Sequence, residues 1–155
     1  MPVQLREVTA DVLTDLRTHV VLPPEQANWV GGTVDDALNE ASEFPEGKPW
    51  PRAVYLDTTP VGFMMLSWDA VPRPPHIIGP WFLWKLMIAP AWQGNGIGGE
   101  VVRLAASIAK EHGATELLTS VAHGPGSPFG FYVGLGFVPT GSYAEDEEEV
   151  LALAL

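Results

Sequence analysis

Gln93-Gly94-Asn95-Gly96-Ile97-Gly98-Gly99 is the stretch whose reading decides the fold. Before it, Trp81 to Ile88 is nearly continuous apolar sequence interrupted by Lys85, as expected of a strand buried on both faces. After it, from Gly98 to Glu111, the hydrophobic period becomes helical. Ile97, Val101, Ala105, Ile108 and His112 share one side, while Glu100, Arg103, Lys110 and Glu111 lie elsewhere. Gly113 ends the helix as a left-handed cap. Glycines between a strand and a helix let backbone N–H groups approach an anion with no Cβ in the way. The helix N-terminus adds roughly half a positive charge directed at the same place. The stretch therefore predicts a diphosphate cradle; its alternative is a tight turn without a ligand.

Gly94, Gly96 and Gly99 satisfy the G-x-G-x-x-G dinucleotide spacing. The loop lies too late in the chain for the further βαβ units that would carry a dinucleotide. The next strand, Leu117 to Val121, offers no acid at its end for a ribose hydroxyl. A P-loop is excluded because no Lys-Ser or Lys-Thr follows the glycines.

Working outward, Gln4–Val8 reads as a first strand, and Thr9 or Asp11 starts a helix running to about His19. Thr33 is the N-cap of a second short helix, with Asp35 and Asp36 in its first turn. Arg52–Asp57 and Val61–Trp68 form a hairpin across Thr58-Thr59-Pro60. Val71–Pro80 is too rich in proline for a regular element. Ser127-Pro128 opens a helix ending near Gly134 or Gly136. Phe137–Thr140 and Val150–Leu155 are final strands joined through the acidic stretch Glu145–Glu149. The order is mixed α/β, and 155 residues suit one domain over 1–155.

Composition narrows the function classes. With zero cysteines there is no thiol nucleophile, thiolate metal site, redox motif or disulfide. The N-terminal residues lack the apolar core of a signal peptide, and no run approaches the ~20 apolar residues that span a bilayer. A soluble, cytoplasmic protein is expected. A net charge of −11 repels nucleic acid and anionic membranes and favours approach by cations. A polyanionic cofactor must then be held by local groups against the global field.

Gln93-x-x-Gly96-x-Gly98 after an apolar strand resembles the phosphate loop of the GNAT superfamily of N-acetyltransferases. The likeness continues in Phe131-Tyr132-x-x-Leu135-Gly136-Phe137. Leu83-Trp84-Lys85-Leu86-Met87-Ile88, Val138-Pro139-Thr140-Gly141 and the acidic terminal hairpin are similar to bacterial diamine or spermidine/spermine acetyltransferases. The match covers about 53–155 and is looser before that, through Leu5-Arg6-Glu7 and Pro24-Glu25-Gln26. The resemblance implies a GNAT-like α/β fold: a mixed, mostly antiparallel sheet with a central splayed parallel pair and flanking helices. It implies acetyl-coenzyme A as co-substrate between those strands, with no metal. The backbone of Met87 and Ile88 would meet the pantetheine arm. The amides of Gln93, Gly94, Asn95, Gly96, Ile97, Gly98 and Gly99 would hold the diphosphate, and Tyr132 would lie beside the sulfur. Members often place Asn after the second splayed strand; this chain has Gly124-Pro125-Gly126-Ser127, and Ser127 stands in as helix cap or cofactor contact.

The chemistry poses two proton problems. A primary amine with a pKa near 10.4 is neutral in about one molecule per thousand at pH 7.4, a deficit of about 4 kcal/mol. The departing thiolate, near 8.5, is more acidic than an ordinary tyrosine near 10, so Tyr132 suits hydrogen-bond stabilisation that becomes transfer as charge develops. For the base, His123, His76 and Asp69 are candidates beside deprotonation through water. For the acceptor, Glu25, Asp35, Glu43 and Glu145–Glu149 are candidate cation holders, with Trp29 and Trp84 for cation–π contact; the bland alternatives are packed tryptophans and a solvated turn. Lys85 is expected at an edge or against an acid. The acceptor is a small-molecule amine, a polyamine among them; alternatives are a protein N-terminus, an aminoglycoside-like compound, or a non-catalytic acetyl-coenzyme A sensor. The terminal hairpin offers an edge to a second copy, and the resemblance points to a homodimer.

Overall fold

Capping chemistry sets the N-terminal third in the computed structural model, which describes residues 2–155; of the unit expected over 1–155, only Met1 lies outside the described residues. β1 (Gln4–Glu7) leads into α1 (Ala10–His19), where the Thr9 hydroxyl accepts from Val12 N at 3.3 Å. α2 (Pro24–Val30) is an element the sequence reading left out. It is short, and its opening prolines look like a break, yet Pro24 sits where helices tolerate proline and Gly31 (φ +79°) closes the end. α3 (Val34–Glu43) begins with a reciprocal box. Asp36 N donates to Thr33 Oγ1 at 3.1 Å, and Thr33 N donates to Asp36 Oδ2 at 2.8 Å.

β2 (Pro49–Leu56) starts earlier than expected, despite two prolines. It pairs with β1 on one side and with β3 (Thr59–Ser67) on the other. Trp68 N donates to Lys48 O, which turns the backbone of the even residues of β2 toward β3. Pro49 and Pro51 therefore face the other side, beyond the reach of β1, which stops opposite Arg52. Their missing N–H groups cost no ladder bond. The proline-rich 71–80 segment forms only an isolated bridge, Arg73 to Ile77.

β4 (Phe82–Ile88), α4 (Ile97–Glu111), β5 (Glu116–Val121), α5 (Phe129–Gly134), β6 (Val138–Tyr143) and β7 (Glu149–Ala154) complete the chain. The sheet order is β1-β2-β3-β4-β5-β7-β6, and only β4 and β5 are parallel. One face buries Val101, Ala105 and Ala109 of α4 with Met64, Leu66, Leu117, Phe137 and Leu151. The other buries Leu16 of α1 and Val34 and Ala37 of α3 against Phe63, Met65 and Met87. A mixed sheet with a central parallel pair and helices on both faces is the expected fold.

β4 and β5 touch only at Phe82–Leu118 and Leu83–Thr119 and then part. The cause lies partly on β4 itself: Met65 pairs with Lys85 but Leu66 with Leu83, so Trp84 is an extra residue that bends the strand. β4 is thus not buried on both faces throughout, as its apolar sequence suggested; Trp84, Lys85 and Leu86 are only incompletely buried beside the gap. At the fork, the buried Thr119 hydroxyl donates to Leu83 O at 3.0 Å. Thr119→Val keeps the shape but strands that carbonyl, and a loss of about 1–2 kcal/mol is expected in urea denaturation.

Candidate active site

A cavity of about 420 Å³ opens where β4 and β5 separate. Its walls come from α2 through Trp29, from β4 through Trp84 and Lys85, from β5 through Ser120, from α5 through Tyr132, and from the β6–β7 turn through Glu148. Only the fork explains why residues so far apart in sequence share one space.

The glycine loop lies beyond the outer end of β4. Gly96 occupies the N-cap of α4 at φ +78°, a conformation that a side chain disfavours, and no side chain caps the helix. The first-turn N–H groups are left for an outside acceptor. A Cβ built on Gly94 or Gly96 would meet nothing within 4 Å, so the loop surface is open. These features fit an anionic ligand such as a diphosphate. The Gln93 and Asn95 side chains are spent holding the loop. Gln93 Nε2 donates to Ile88 O at 2.9 Å and to Gln26 Oε1 at 2.7 Å, while Asn95 Nδ2 reaches Trp92 O and Gln93 O at 3.3 Å.

Strand parity corrects one expectation. Ala89 N donates to Val61 O, so the backbone of Met87, two residues back and opposite Phe63, also faces β3. Met87 is committed to the sheet and its side chain to the core. The backbone of Leu86 and Ile88 turns toward the gap instead, with Ile88 O already taken by Gln93.

Tyr132 is buried, and its ring packs edge-on against Phe131 and Phe137. Burial pushes its phenol up to about 12; the Thr119 side chain works against the shift and the Glu148 charge adds to it. Glu148 accepts from Ser120 Oγ at 2.9 Å. Its burial, with Asp146 beside it, raises the carboxyl to about 7, against the pull of Ser120 and Lys85. Lys85, 9% exposed, meets Glu40 Oε2 at 3.0 Å and donates to Val30 O at 2.8 Å, which ties the end of α2 to β4. Trp84 Nε1 donates to the same Glu40 at 2.8 Å.

The remaining expected residues divide. Trp29 and Trp84 line the cavity, Trp29 with its ring against Gly124 and Gly126. Glu25 is an exposed residue of α2 and does not line it. Asp35 is taken by Arg17 at 2.8 Å. His123 pairs with Glu149 at 2.7 Å and packs at a tilt against Phe129, outside the cavity lining. Ser127 accepts from Phe129 N and donates to Ala122 O, so its hydroxyl closes the turn before α5. Within the acidic run Glu145, Asp146 and Glu147 are exposed, Glu145 against His76 at 2.8 Å, while Glu148 and Glu149 are partly buried against Ser120 and His123. Ser120 is the functional candidate that sequence reading missed, and Glu148 was expected only as one of the Glu145–Glu149 cation holders; a run of acids carries no sign of which one the fold will draw into the cavity.

Among the described residues, no group of three or more His, Asp or Glu side chains could hold a metal ion, and no helix is long and apolar enough to cross a membrane.

A profile of the Acetyltransferase (GNAT) family matches residues 17–137. The fold is similar to that of an acetyltransferase from Thermus thermophilus, with a TM-score of 0.75 at 19% identity over 100% of this chain and 98% of that one. It is similar to the PaiA N-acetyltransferase of Thermoplasma acidophilum in complex with coenzyme A, with a TM-score of 0.67 at 19% identity and 100% coverage of both chains. An aminoglycoside acetyltransferase in complex with coenzyme A superposes with a TM-score of 0.71 at 18% identity, over 98% of this chain and 94% of that one. At these identities the likeness is one of fold. No curated protein matches the chain.

Proposed function

The chain belongs to the acetyltransferase (GNAT) family, and from that premise we propose that it moves the acetyl group of acetyl-coenzyme A onto the primary amine of a small cation, a polyamine among the candidates. The observation that carries this reading is the fork: it opens between the uncapped end of α4 and a cavity whose far wall is the acidic β6–β7 turn. The loop amides from Gly94 to Gly99 would take the diphosphate, with Gln93 and Asn95 holding the loop in shape. The gap-facing backbone of Leu86 and Ile88 would take the pantetheine arm, and Tyr132 would stand at the sulfur. Acetyl-coenzyme A supplies the activated acyl group; the protein's part is to hold it, to exclude water and to manage two protons.

Acidic groups at the cavity, Glu148, Asp146 and Glu145, favour a cationic acceptor over a neutral or anionic one. Aromatic walls from Trp29 and Trp84 suit the same guest. With zero cysteines, direct attack by the amine is the simplest route, and we place the reaction in the cytoplasm. The outer edge of β6, the last strand of the sheet, is where a second copy would join.

Thiol release from acetyl-coenzyme A tests the proposal with spermidine, spermine, putrescine, an aminoglycoside and a short peptide; the protein has no thiol to add background. Turnover is expected with the polycations and is expected to fall as salt rises. Turnover with the peptide alone would replace the acceptor class by protein N-termini. Silence across the panel, with the cofactor bound, would favour a sensor.

A further inference from the structure

We propose that Glu148 is the catalytic base that takes the proton from the acceptor's ammonium group, an assignment that rests on the transferase reading above. Three independent placements lead to it. The β6–β7 turn is held by Glu147 N donating to Ala144 O at 3.1 Å and Ala144 N donating to Glu148 O at 2.8 Å. That turn brings Glu148 into the lining of the cavity that Trp84 and Lys85 of β4 also line. Ser120, the residue after the last β4–β5 register pair, fixes Glu148 Oε1 at 2.9 Å. Tyr132 lines the same space, and the Glu148 charge is felt at its phenol. Acid and phenol thus flank the place where the two strands part.

The surroundings leave Glu148 able to accept a proton near neutral pH. From its own turn it faces Asp146, with Glu145 drawn away by His76 of the proline-rich loop. From β4 it faces Lys85, whose ammonium is already met by Glu40 and Val30 O. From β5 it faces Ser120, with the His123–Glu149 pair beyond, and from α5 it faces Tyr132. Burial first, and Asp146 second, raise its carboxyl to about 7 from the ordinary 4.5. Proton transfer from an ammonium group is then roughly 300-fold less unfavourable than to an ordinary carboxylate.

The step balances as follows. The ammonium N–H proton passes to the Glu148 carboxylate, and the freed lone pair forms the C–N bond to the acetyl carbon. The C–S bond breaks with its electron pair leaving on sulfur, which the Tyr132 hydroxyl hydrogen-bonds. The second nitrogen proton ends on sulfur, and Glu148 returns its proton to water.

The test compares wild type, Glu148→Gln and Asp146→Asn on whichever panel amine the wild type turns over, and on hydroxylamine, which is already neutral at pH 7. Glu148→Gln is expected to lose roughly 10²–10⁴ in kcat/KM with the cationic amine. It should lose little with hydroxylamine and bind acetyl-coenzyme A unchanged. Asp146→Asn, whatever it does to the level of the rate, is expected to move the ascending limb of kcat/KM from near 7 to lower pH, because Asp146 helps to raise the Glu148 carboxyl. Folding supplies a readout that needs no substrate. A carboxyl raised from 4.5 to about 7 in the folded state weakens the fold as pH climbs through that window, so Glu148→Gln should gain in Tm over wild type at pH 8 and lose that gain at pH 4.5. Activity within about threefold of wild type, equal losses on both nucleophiles, or an unmoved limb in Asp146→Asn would each remove Glu148 from the role. If wild type turns over nothing in the panel, the transferase reading falls and this assignment goes with it.

Discussion

Gly62→Ala is expected to destabilise the protein by about 3 kcal/mol, a drop of roughly 10 °C in Tm. Gly62 is buried in β3 opposite Ile88 of β4. A Cβ there would lie 2.5 Å from the Met87 carbonyl oxygen and 3.0 Å from Ile88 Cδ1. The first obstacle is backbone and cannot rotate away, so the two strands must move apart. That movement displaces the stretch of β4 whose backbone faces the gap. Loss of acetyl-coenzyme A affinity should therefore accompany the loss of stability. Thermal melts with and without the cofactor check both, and a Tm change under about 2 °C would mean that β3 and β4 separate more easily than their packing implies.

Tyr132→Phe is expected to lower kcat by about 10²-fold, with little change in the KM for acetyl-coenzyme A. Burial keeps the phenol protonated up to about 12, whereas the leaving thiol ionises near 8.5. Handing over the proton completely would be uphill by about 5 kcal/mol, so the hydroxyl serves as a hydrogen-bond donor to developing sulfur charge. No alkaline limb from Tyr132 should then appear in the rate below pH 10. The same burial makes a statement about stability. A phenol whose pKa rises from 10.0 to about 12 on folding favours the native state below pH 10. That advantage is lost as pH climbs from 10 through 12, and it amounts to about 3 kcal/mol. The phenylalanine variant should lack this part of the alkaline loss. Turnover equal to wild type would remove Tyr132 from the chemistry and leave it as a core residue.

How much of this could be read beforehand depended on how local each signal is. The strand, glycine loop and helix from Trp81 to Glu111 were legible because the change of hydrophobic period and the glycine spacing lie within one window. Helix starts at Thr9 and Thr33 were legible for the same reason, since a cap acts on amides three residues away. The start of β2 was hidden because tolerance of Pro49 and Pro51 depends on where β1 stops, a fact about another strand. The extra residue at Trp84 belongs to the register of β3 against β4 and leaves no mark in either sequence alone. In the acidic run, the choice of Glu148 over Glu147 follows from a turn that partly buries one and exposes the other. His123 illustrates the converse: its position after β5 suggested chemistry, but Glu149 engages it outside the cavity.

Two register pairs are all the backbone pairing that joins β4 to β5, whereas β5 runs beside β7 for its whole length. The three strands beyond Gly113, in the order β5-β7-β6, are thus joined to the rest of the sheet by little main-chain pairing. Few main-chain bonds hold that junction, but the core under α4 bridges it, from Met64 and Leu66 on one side to Leu117 and Leu151 on the other. A bulky coenzyme would then be received by a gap whose width is set by side-chain packing more than by main-chain pairing.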